Sequence, residues 1–136
     1  MRVFFNNNFE LTIHNTLSDN SGNFIIVDVE INKKRITLVN IYGPNKDDPV
    51  FYEQLKNNIT KFNNNDILIV GDWNLLLNPE IDGYNYKHVN NPKARLQVLR
   101  LMNDLNLFDV WREENQEIKN VHGGEKFLTV DYKWGG

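Results

Sequence analysis

The sequence predicts a layered α/β domain in which a mixed β-sheet is flanked by helices. Two apolar segments rich in β-branched residues, 35–42 and 67–70, are typical of strands buried in a sheet. Each is followed by a segment with helical periodicity, at residues 49–62 and 92–105. Because a hairpin pattern precedes the first of these helices, the order of elements favours an α/β fold with a mixed sheet.

The hairpin is predicted from residues 24–42. Residues 24–31 begin apolar and then alternate, so that aliphatic side chains lie on one face and Asp28 and Glu30 on the other. Residues 32–34 form a tight turn into the next strand, residues 35–42. Two neighbouring antiparallel strands are therefore expected here.

Capping residues define the two predicted helices. Asp48 is the expected N-cap of the first helix, with Pro49 at its first position, and Asn91–Pro92 is the corresponding start of the second. Residues 78–91 are predicted to be a long loop, and residues 107–111 a short strand or extended segment. The expected buried stripes are Phe51, Leu55, Ile59 and Phe62 in the first helix, and Leu96, Leu99, Met102 and Leu105 in the second.

Composition limits the classes of protein that fit. The 136 residues suffice for one domain, and the proportions of hydrophobic (40%) and charged (24%) residues are ordinary for a globular protein. There is no cysteine, no membrane-length apolar run and no signal-peptide pattern, which favours an intracellular protein outside the membrane. The net charge of −3 offers no overall attraction for nucleic acid, so DNA binding would need a local basic patch or a bridging cation.

Asp72 and Asn74 are the first candidate site residues. The apolar run that ends at Val70 is followed by Gly71-Asp72-Trp73-Asn74. A carboxylate and a carboxamide spaced two residues apart after a strand can both point into a cleft at the edge of the sheet, where α/β folds bind ligands. An Asp/Asn turn stabilised by side-chain bonds to its own backbone is an equally good interpretation.

Further segments support a resemblance to a known family. Residues 40–45 are Asn-Ile-Tyr-Gly-Pro-Asn, residues 51–53 are Phe-Tyr-Glu, and residues 107–112 are Leu-Phe-Asp-Val-Trp-Arg. Together with the Gly-Asp-Trp-Asn motif, they resemble the endonuclease/exonuclease/phosphatase superfamily and, within it, the apurinic-type endonuclease domain of LINE-1-like retrotransposons. The resemblance covers residues 1–118 and implies a layered α/β sandwich of mixed β-sheets flanked by helices, incomplete at both ends. Residues 2–5 would correspond to an interior strand.

The resemblance also implies a chemistry and a set of roles. Asp72 would orient or deprotonate the attacking water, Asn74 would hold the phosphate or a metal-bound water, and Tyr42 would donate a hydrogen bond toward the phosphate. The reaction would be hydrolysis of a DNA phosphodiester with Mg²⁺ or Mn²⁺. The residue types suit these roles, whereas Trp73 is expected to pack in the core rather than to stack on a base.

Weaker substrate-binding candidates lie after the motif. Asp82 could steady the site, although an Asp-Gly turn explains it more simply. Tyr84, Lys87 and Arg95 belong to a mixture of aromatic and basic residues that suits stacking and phosphate contact, and that equally suits a solvated loop and helix start.

The chain also departs from the family pattern. The family's metal-binding Glu belongs to a strand that would precede residue 1, so no metal ligand is identified directly, and the catalytic Asp-His ending has no match. Residues 119–136 form a divergent tail. We therefore expect a fragment of a LINE-type DNA endonuclease that is inactive as an isolated chain, and nuclear if it belongs to an active retroelement. The alternatives are a piece of another phosphoesterase, such as a repair nuclease or phosphatase, and a non-catalytic interaction domain.

Overall fold

The computed structural model describes residues 1–8, 10–64, 66–82, 91–115 and 130–132. These residues form an α/β structure with a mixed sheet and packed helices, as predicted from the sequence. The strands are β1 (Leu11–Ser18), β2 (Phe24–Ile31), β3 (Lys34–Tyr42), β4 (Ile67–Asp72), β5 (Leu107–Asp109) and β6 (Val130–Tyr132). The helices are α1 (Pro49–Thr60), α2 (Pro79–Asp82), α3 (Pro92–Asp104) and α4 (Val110–Glu114).

The sheet has the strand order β1-β2-β3-β4-β6-β5. The first three strands are antiparallel neighbours, whereas β3 and β4 are parallel and joined through α1, the helical crossover that a parallel pair requires. The pairing of β3 with β4 runs from Thr37 opposite Ile67 to Tyr42 opposite Asp72. The carboxyl-terminal ends of β3 and β4 therefore lie side by side.

The predicted hairpin between β2 and β3 is confirmed. Ile31 pairs with Lys34, which leaves Asn32 and Lys33 as a two-residue connection. Both have positive φ, 51° and 66°, as the turn type that matches the twist of hairpin strands requires. The tight turn fixes the register of the whole strand pair.

Helices α1 and α3 pack on each other and cover one face of the sheet. Asp48 caps α1 by accepting a hydrogen bond from the Phe51 N–H at 3.2 Å, and Pro49 occupies the first turn, as predicted. In α1 the fully buried residues are Tyr52, Leu55 and Ile59, while Phe51 is only partly buried. The sheet contributes Phe24, Ile26, Val39, Ile41, Ile67 and Ile69 to the same core.

The predicted buried stripe of α3 is wrong in its rotational phase. Leu96 and Leu99 are 50% and 42% exposed, and the buried residues are Ala94, Val98 and Leu101. Met102 and Leu105, the other two predicted members, are partly buried against the core. Leucines occur on both sides of this helix, so their spacing alone does not select the inner face. Ala94, which is fully buried, has the small side chain that a close approach between α3 and its neighbours needs.

The N-terminal strand also differs from expectation. Residues 2–5 have no regular secondary structure, and Phe4 is 84% exposed, so the strand implied by the resemblance is absent from this segment. The first strand is instead β1, which pairs with β2 and contains a bulge between Ile13 and Asn15. Strand β1 is mostly exposed, since it lies at the edge of the sheet and is held mainly by backbone hydrogen bonds.

The loop predicted at residues 78–91 begins with the short helix α2, and residues 83–90 lie outside the described residues. The short strand predicted at residues 107–111 is confirmed as β5, although α4 begins directly after it. Residues 130–132 of the divergent tail form β6, which pairs with β4 and β5. No helix within the described ranges is long and apolar enough to cross a lipid bilayer.

Asp28 lies on the helix-covered face of β2 and is 5% exposed. Its carboxylate accepts hydrogen bonds from both Nε and Nη2 of Arg35, and from the Asn64 side chain at 2.9 Å. Asn64 also donates to Thr37 at 3.0 Å, which satisfies the other buried polar group of this cluster. The hydrogen bonds from Arg35 hold the pKa of Asp28 below its ordinary value, against the opposing effect of burial.

We expect this cluster to make the stability of the chain pH-dependent. A carboxyl group with a lowered folded-state pKa stabilises the fold above its unfolded-state pKa, near 4, and this contribution is lost as pH falls through the folded-state value. Urea denaturation at several pH values should therefore show Asp28→Asn to be less stable than wild type at neutral pH, with the difference shrinking below about pH 4. A difference that is independent of pH would contradict the charged role of Asp28.

Candidate functional site

The structure brings Tyr42 and Asp72 together at the carboxyl edge of the parallel pair. The two residues are directly opposite each other in the register of β3 and β4. Side chains alternate along a strand, and Ile41 belongs to the core under the helices, so Tyr42 and Asp72 share the other face of the sheet. Tyr42 is 49% exposed and Asp72 is partly exposed, so both are accessible to a ligand.

Asn74 joins this pair through two hydrogen bonds. Its N–H donates to Asp72 Oδ1 at 2.8 Å, and its side-chain Nδ2 donates to the carbonyl of Gly43 at 2.6 Å. Its φ of 50° lies in the left-handed region, which asparagine tolerates better than most residues. The turn interpretation of the motif is therefore confirmed, because Asp72 and Asn74 form a side-chain-stabilised turn at the edge of the sheet. A ligand-binding role for this turn stays a prediction.

Gly43 connects the two loops that form the site. Its N–H donates to the Asp72 carbonyl at 2.6 Å, while its own carbonyl accepts the hydrogen bond from Asn74. A Cβ at this position would overlap the Trp73 carbonyl oxygen and the Tyr52 hydroxyl. The glycine after Tyr42 is thus required because the two loops approach each other at backbone distance.

Trp73 and Tyr52 pack together in the core next to the turn that carries Asp72 and Asn74. Each is 1% exposed, and their rings stack with a centroid distance of 6.0 Å and an interplanar angle of 10°. The Tyr52 hydroxyl donates to the Trp73 carbonyl at 2.5 Å. The prediction that Trp73 packs in the core is confirmed. Burial, and then the charges of Asp72 and Asp48, raise the pKa of Tyr52 above its ordinary value, so its hydroxyl remains a protonated donor.

The start of α3 is capped from a distant part of the sequence. Asp47 accepts hydrogen bonds from the Ala94 N–H at 2.7 Å and from the Lys93 N–H at 3.4 Å. Asn91 occupies the N-cap position, as predicted, but its side chain makes no capping bond and instead donates to the Asn74 carbonyl at 3.3 Å. The loop after β3 and the helix after β4 are therefore tied together beside the site.

We expect Asp47→Ala to lower the free energy of unfolding by about 1 kcal/mol, the usual cost of removing a helix cap. Urea denaturation gives this value directly, with Glu53→Ala as the control, since Glu53 is an exposed residue of α1. If Asp47→Ala were as stable as that control, its bonds to α3 would contribute nothing in solution.

The weaker candidates are only partly within the described residues. Asp82 is the last residue of α2, and the rest of the predicted Asp-Gly turn lies outside the described residues. Tyr84 and Lys87 lie outside the described residues. Arg95 is partly buried in the first turn of α3, and its N–H donates to the Asn91 carbonyl at 2.9 Å. A substrate-binding role for these four residues stays a prediction.

The described residues do not form a complete metal site. They contain no group of three or more His, Cys, Asp or Glu side chains that could hold an ion. Mg²⁺ in enzymes is commonly held by one or two carboxylates together with substrate phosphates and water. Asp72 supplies one carboxylate at this edge.

No model of a known protein family matches this chain. The site formed by Tyr42, Asp72 and Asn74 has three features to explain: an accessible carboxylate, a fixed carboxamide and an exposed phenol, all at one edge of a parallel strand pair.

Proposed function

We propose that this chain is part of a divalent-metal-dependent DNA endonuclease of a LINE-1-like retroelement, and that Tyr42, Asp72 and Asn74 act on the scissile phosphodiester. The observation that carries the proposal is the pairing of Tyr42 with Asp72 at the carboxyl edge of β3 and β4, with Asn74 bonded to Asp72. Ligand sites of open α/β sheets are found at this edge.

Each side chain has chemistry suited to phosphodiester hydrolysis. The Asp72 carboxylate can accept a proton from an attacking water, and the N–H of Asn74 fixes one of its oxygens. The Tyr42 hydroxyl can donate a hydrogen bond to a phosphate oxygen, because the ring stands half exposed at the edge. The Asn74 side chain, oriented by Gly43, can hold the phosphate or an ordered water.

A divalent cation, Mg²⁺ or Mn²⁺, would neutralise charge on the phosphate when bound. Asp72 is the described residue best placed to contribute a ligand to it, together with groups outside the described ranges. Since the chain has a net charge of −3, such a cation would also offset repulsion between the protein and DNA. A nuclear location would follow from activity on chromosomal DNA.

A non-catalytic interaction domain on the same scaffold is the second candidate. It is favoured by the hydrogen bonds that Asp72 and Asn74 already make within the turn, because these bonds give both residues a structural reason to be present.

DNA binding by the chain itself distinguishes the two candidates. We expect an isotope-labelled chain, titrated with a short DNA duplex and Mg²⁺, to show its largest amide shift changes at Gly43, Asp72 and Asn74. The Asp72→Asn variant should show altered metal dependence of these changes. DNA binding at a different surface, or no change at these amides, would favour the interaction domain.

We expect the isolated 136-residue chain to have no measurable nicking activity. Catalytic groups that act as a unit lose most of their effect when one is missing, and the described residues contain no group of three or more side chains that could hold a metal ion. The assay is nicking of supercoiled plasmid with Mg²⁺ or Mn²⁺, with Asp72→Ala as the blank. Metal-dependent nicking above this blank would show that the chain already holds a sufficient site.

A further inference from the structure

We infer that Tyr52 is a positioning residue for this site, and that its hydroxyl sets the orientation of the Asp72 carboxylate. The inference rests on the proposed function for its catalytic consequence. Its structural basis is the hydrogen bond from the Tyr52 hydroxyl to the carbonyl of Trp73, the residue between Asp72 and Asn74. Tyr52 itself is 1% exposed on α1 and makes no approach to solvent that would let it meet a substrate.

Tyr52 and Asp72 form hydrogen bonds with the same peptide group, Tyr52 with its carbonyl oxygen and Asp72 with its N–H. The Trp73 carbonyl accepts from Tyr52, and the N–H of the same peptide, which belongs to Asn74, donates to Asp72 Oδ1 at 2.8 Å. A trans peptide is planar, so fixing its oxygen also fixes the direction of its N–H. Hydrogen bonds in a chain also polarise one another, which strengthens the donor that faces the carboxylate.

The hydroxyl, rather than the ring, carries this role. The Tyr52 ring stacks on Trp73 and meets Phe51 edge-on at a centroid distance of 5.1 Å, and phenylalanine would preserve both contacts. Leu55 and Ile59 continue the same buried face of α1, so the helix does not depend on the hydroxyl for its packing. A residue needed only for the core would therefore be replaceable by Phe at this position.

The surroundings keep the Tyr52 hydroxyl in its donor state. Its pKa is raised by burial and by the nearby carboxylates Asp72 and Asp48, so the proton that it shares with Trp73 is retained at any physiological pH. Gly43 leaves the space that the hydroxyl and the Trp73 carbonyl occupy. The Tyr52 hydroxyl is therefore held as a donor to the Trp73 carbonyl.

The test is Tyr52→Phe in the 136-residue chain, followed by amide hydrogen exchange and proton shifts in NMR. We expect the Asn74 amide to exchange about tenfold faster and to shift upfield, because its bond to Asp72 loosens. Amides of Ile69 and Leu55 in the core should stay within about twofold of wild type. The matched control is Thr60→Val, which removes another hydroxyl that donates to a backbone carbonyl, that of Lys56 at 2.8 Å, far from the site.

The outcomes separate this inference from the proposed function. If Tyr52→Phe leaves the Asn74 amide unchanged, or speeds exchange equally throughout the core, the positioning role is refuted. In the complete endonuclease, Tyr52→Phe should lower kcat with little change in KM, whereas loss of fold would lower the amount of active enzyme. If the local NMR effect is present but Asp72→Ala has no effect on nicking, the proposed function fails while the structural role of Tyr52 stands.

Discussion

Asp72→Ala, made in the endonuclease that we propose, is expected to reduce DNA nicking by about 10²–10⁴-fold, the usual effect of losing a well-placed general base. The fold should survive, because Asp72 is the last residue of β4 and its side chain leaves the sheet on the face away from the helices. Its loss opens no cavity in the core formed by Ile69 and Trp73. Plasmid nicking and circular dichroism measure the two effects separately.

Asp104→Ala provides the matched control for this experiment. Asp104 is a carboxylate too, and its hydrogen bond from Lys56 lowers its pKa, but it lies on the surface at the far end of α3. Its removal should leave nicking unchanged. An Asp72→Ala enzyme that nicks DNA within about tenfold of its parent would exclude the role of general base.

The sequence was sufficient to predict the parts of the fold that depend on local patterns. The apolar run before Asp72 predicted β4, and the polar turn at Asn32–Lys33 predicted the hairpin, because both signals lie within a few residues of the structure they specify. Asp48 and Pro49 likewise predicted the start of α1. The α/β class followed from the order of these elements.

The errors concern elements whose placement depends on distant contacts. Strand β1 is an exposed edge strand with a bulge, so it has neither a long apolar run nor a regular alternation. The inner face of α3 consists of Ala94, Val98 and Leu101, whereas Leu96 and Leu99 are exposed, so the leucine spacing alone does not identify it. In both cases tertiary contacts override the local pattern.

The site shows the same division between local and distant information. Tyr42, Asp72 and Asn74 were identified because each is a polar residue at or just after the end of an apolar run, within a motif that resembles a known family. Asp47 and Tyr52 were missed, since their partners at Ala94 and Trp73 are 47 and 21 residues away along the chain. Asp47 looks like an ordinary loop carboxylate beside the local cap Asp48, and Tyr52 like one more aromatic residue of an amphipathic helix. Only the fold reveals that they support the loops carrying the site.

The second large effect that we expect is a loss of stability in Gly71→Ala. Strands β3 and β4 approach each other closely at this residue, just before the site. Gly71 is paired with Ile41 and has a φ of 127°, and a Cβ here would overlap the backbone oxygen, nitrogen and carbon of Ile41. Because backbone atoms of a central strand cannot move aside, we expect a loss of about 3–5 kcal/mol in the free energy of unfolding. That is a large part of the 5–15 kcal/mol typical of a domain.

Gly22→Ala separates the steric overlap from the backbone strain. Gly22 also has a positive φ, 74°, but a Cβ there would meet no atom within 4 Å, so only the cost of the left-handed conformation, about 1–2 kcal/mol, should remain. Urea denaturation of both variants gives the difference. If Gly71→Ala cost no more than Gly22→Ala, the two backbones could not be in contact at Ile41. The register that sets Tyr42 beside Asp72 one residue later would then be wrong, and with it the geometry on which the proposed phosphodiesterase site depends.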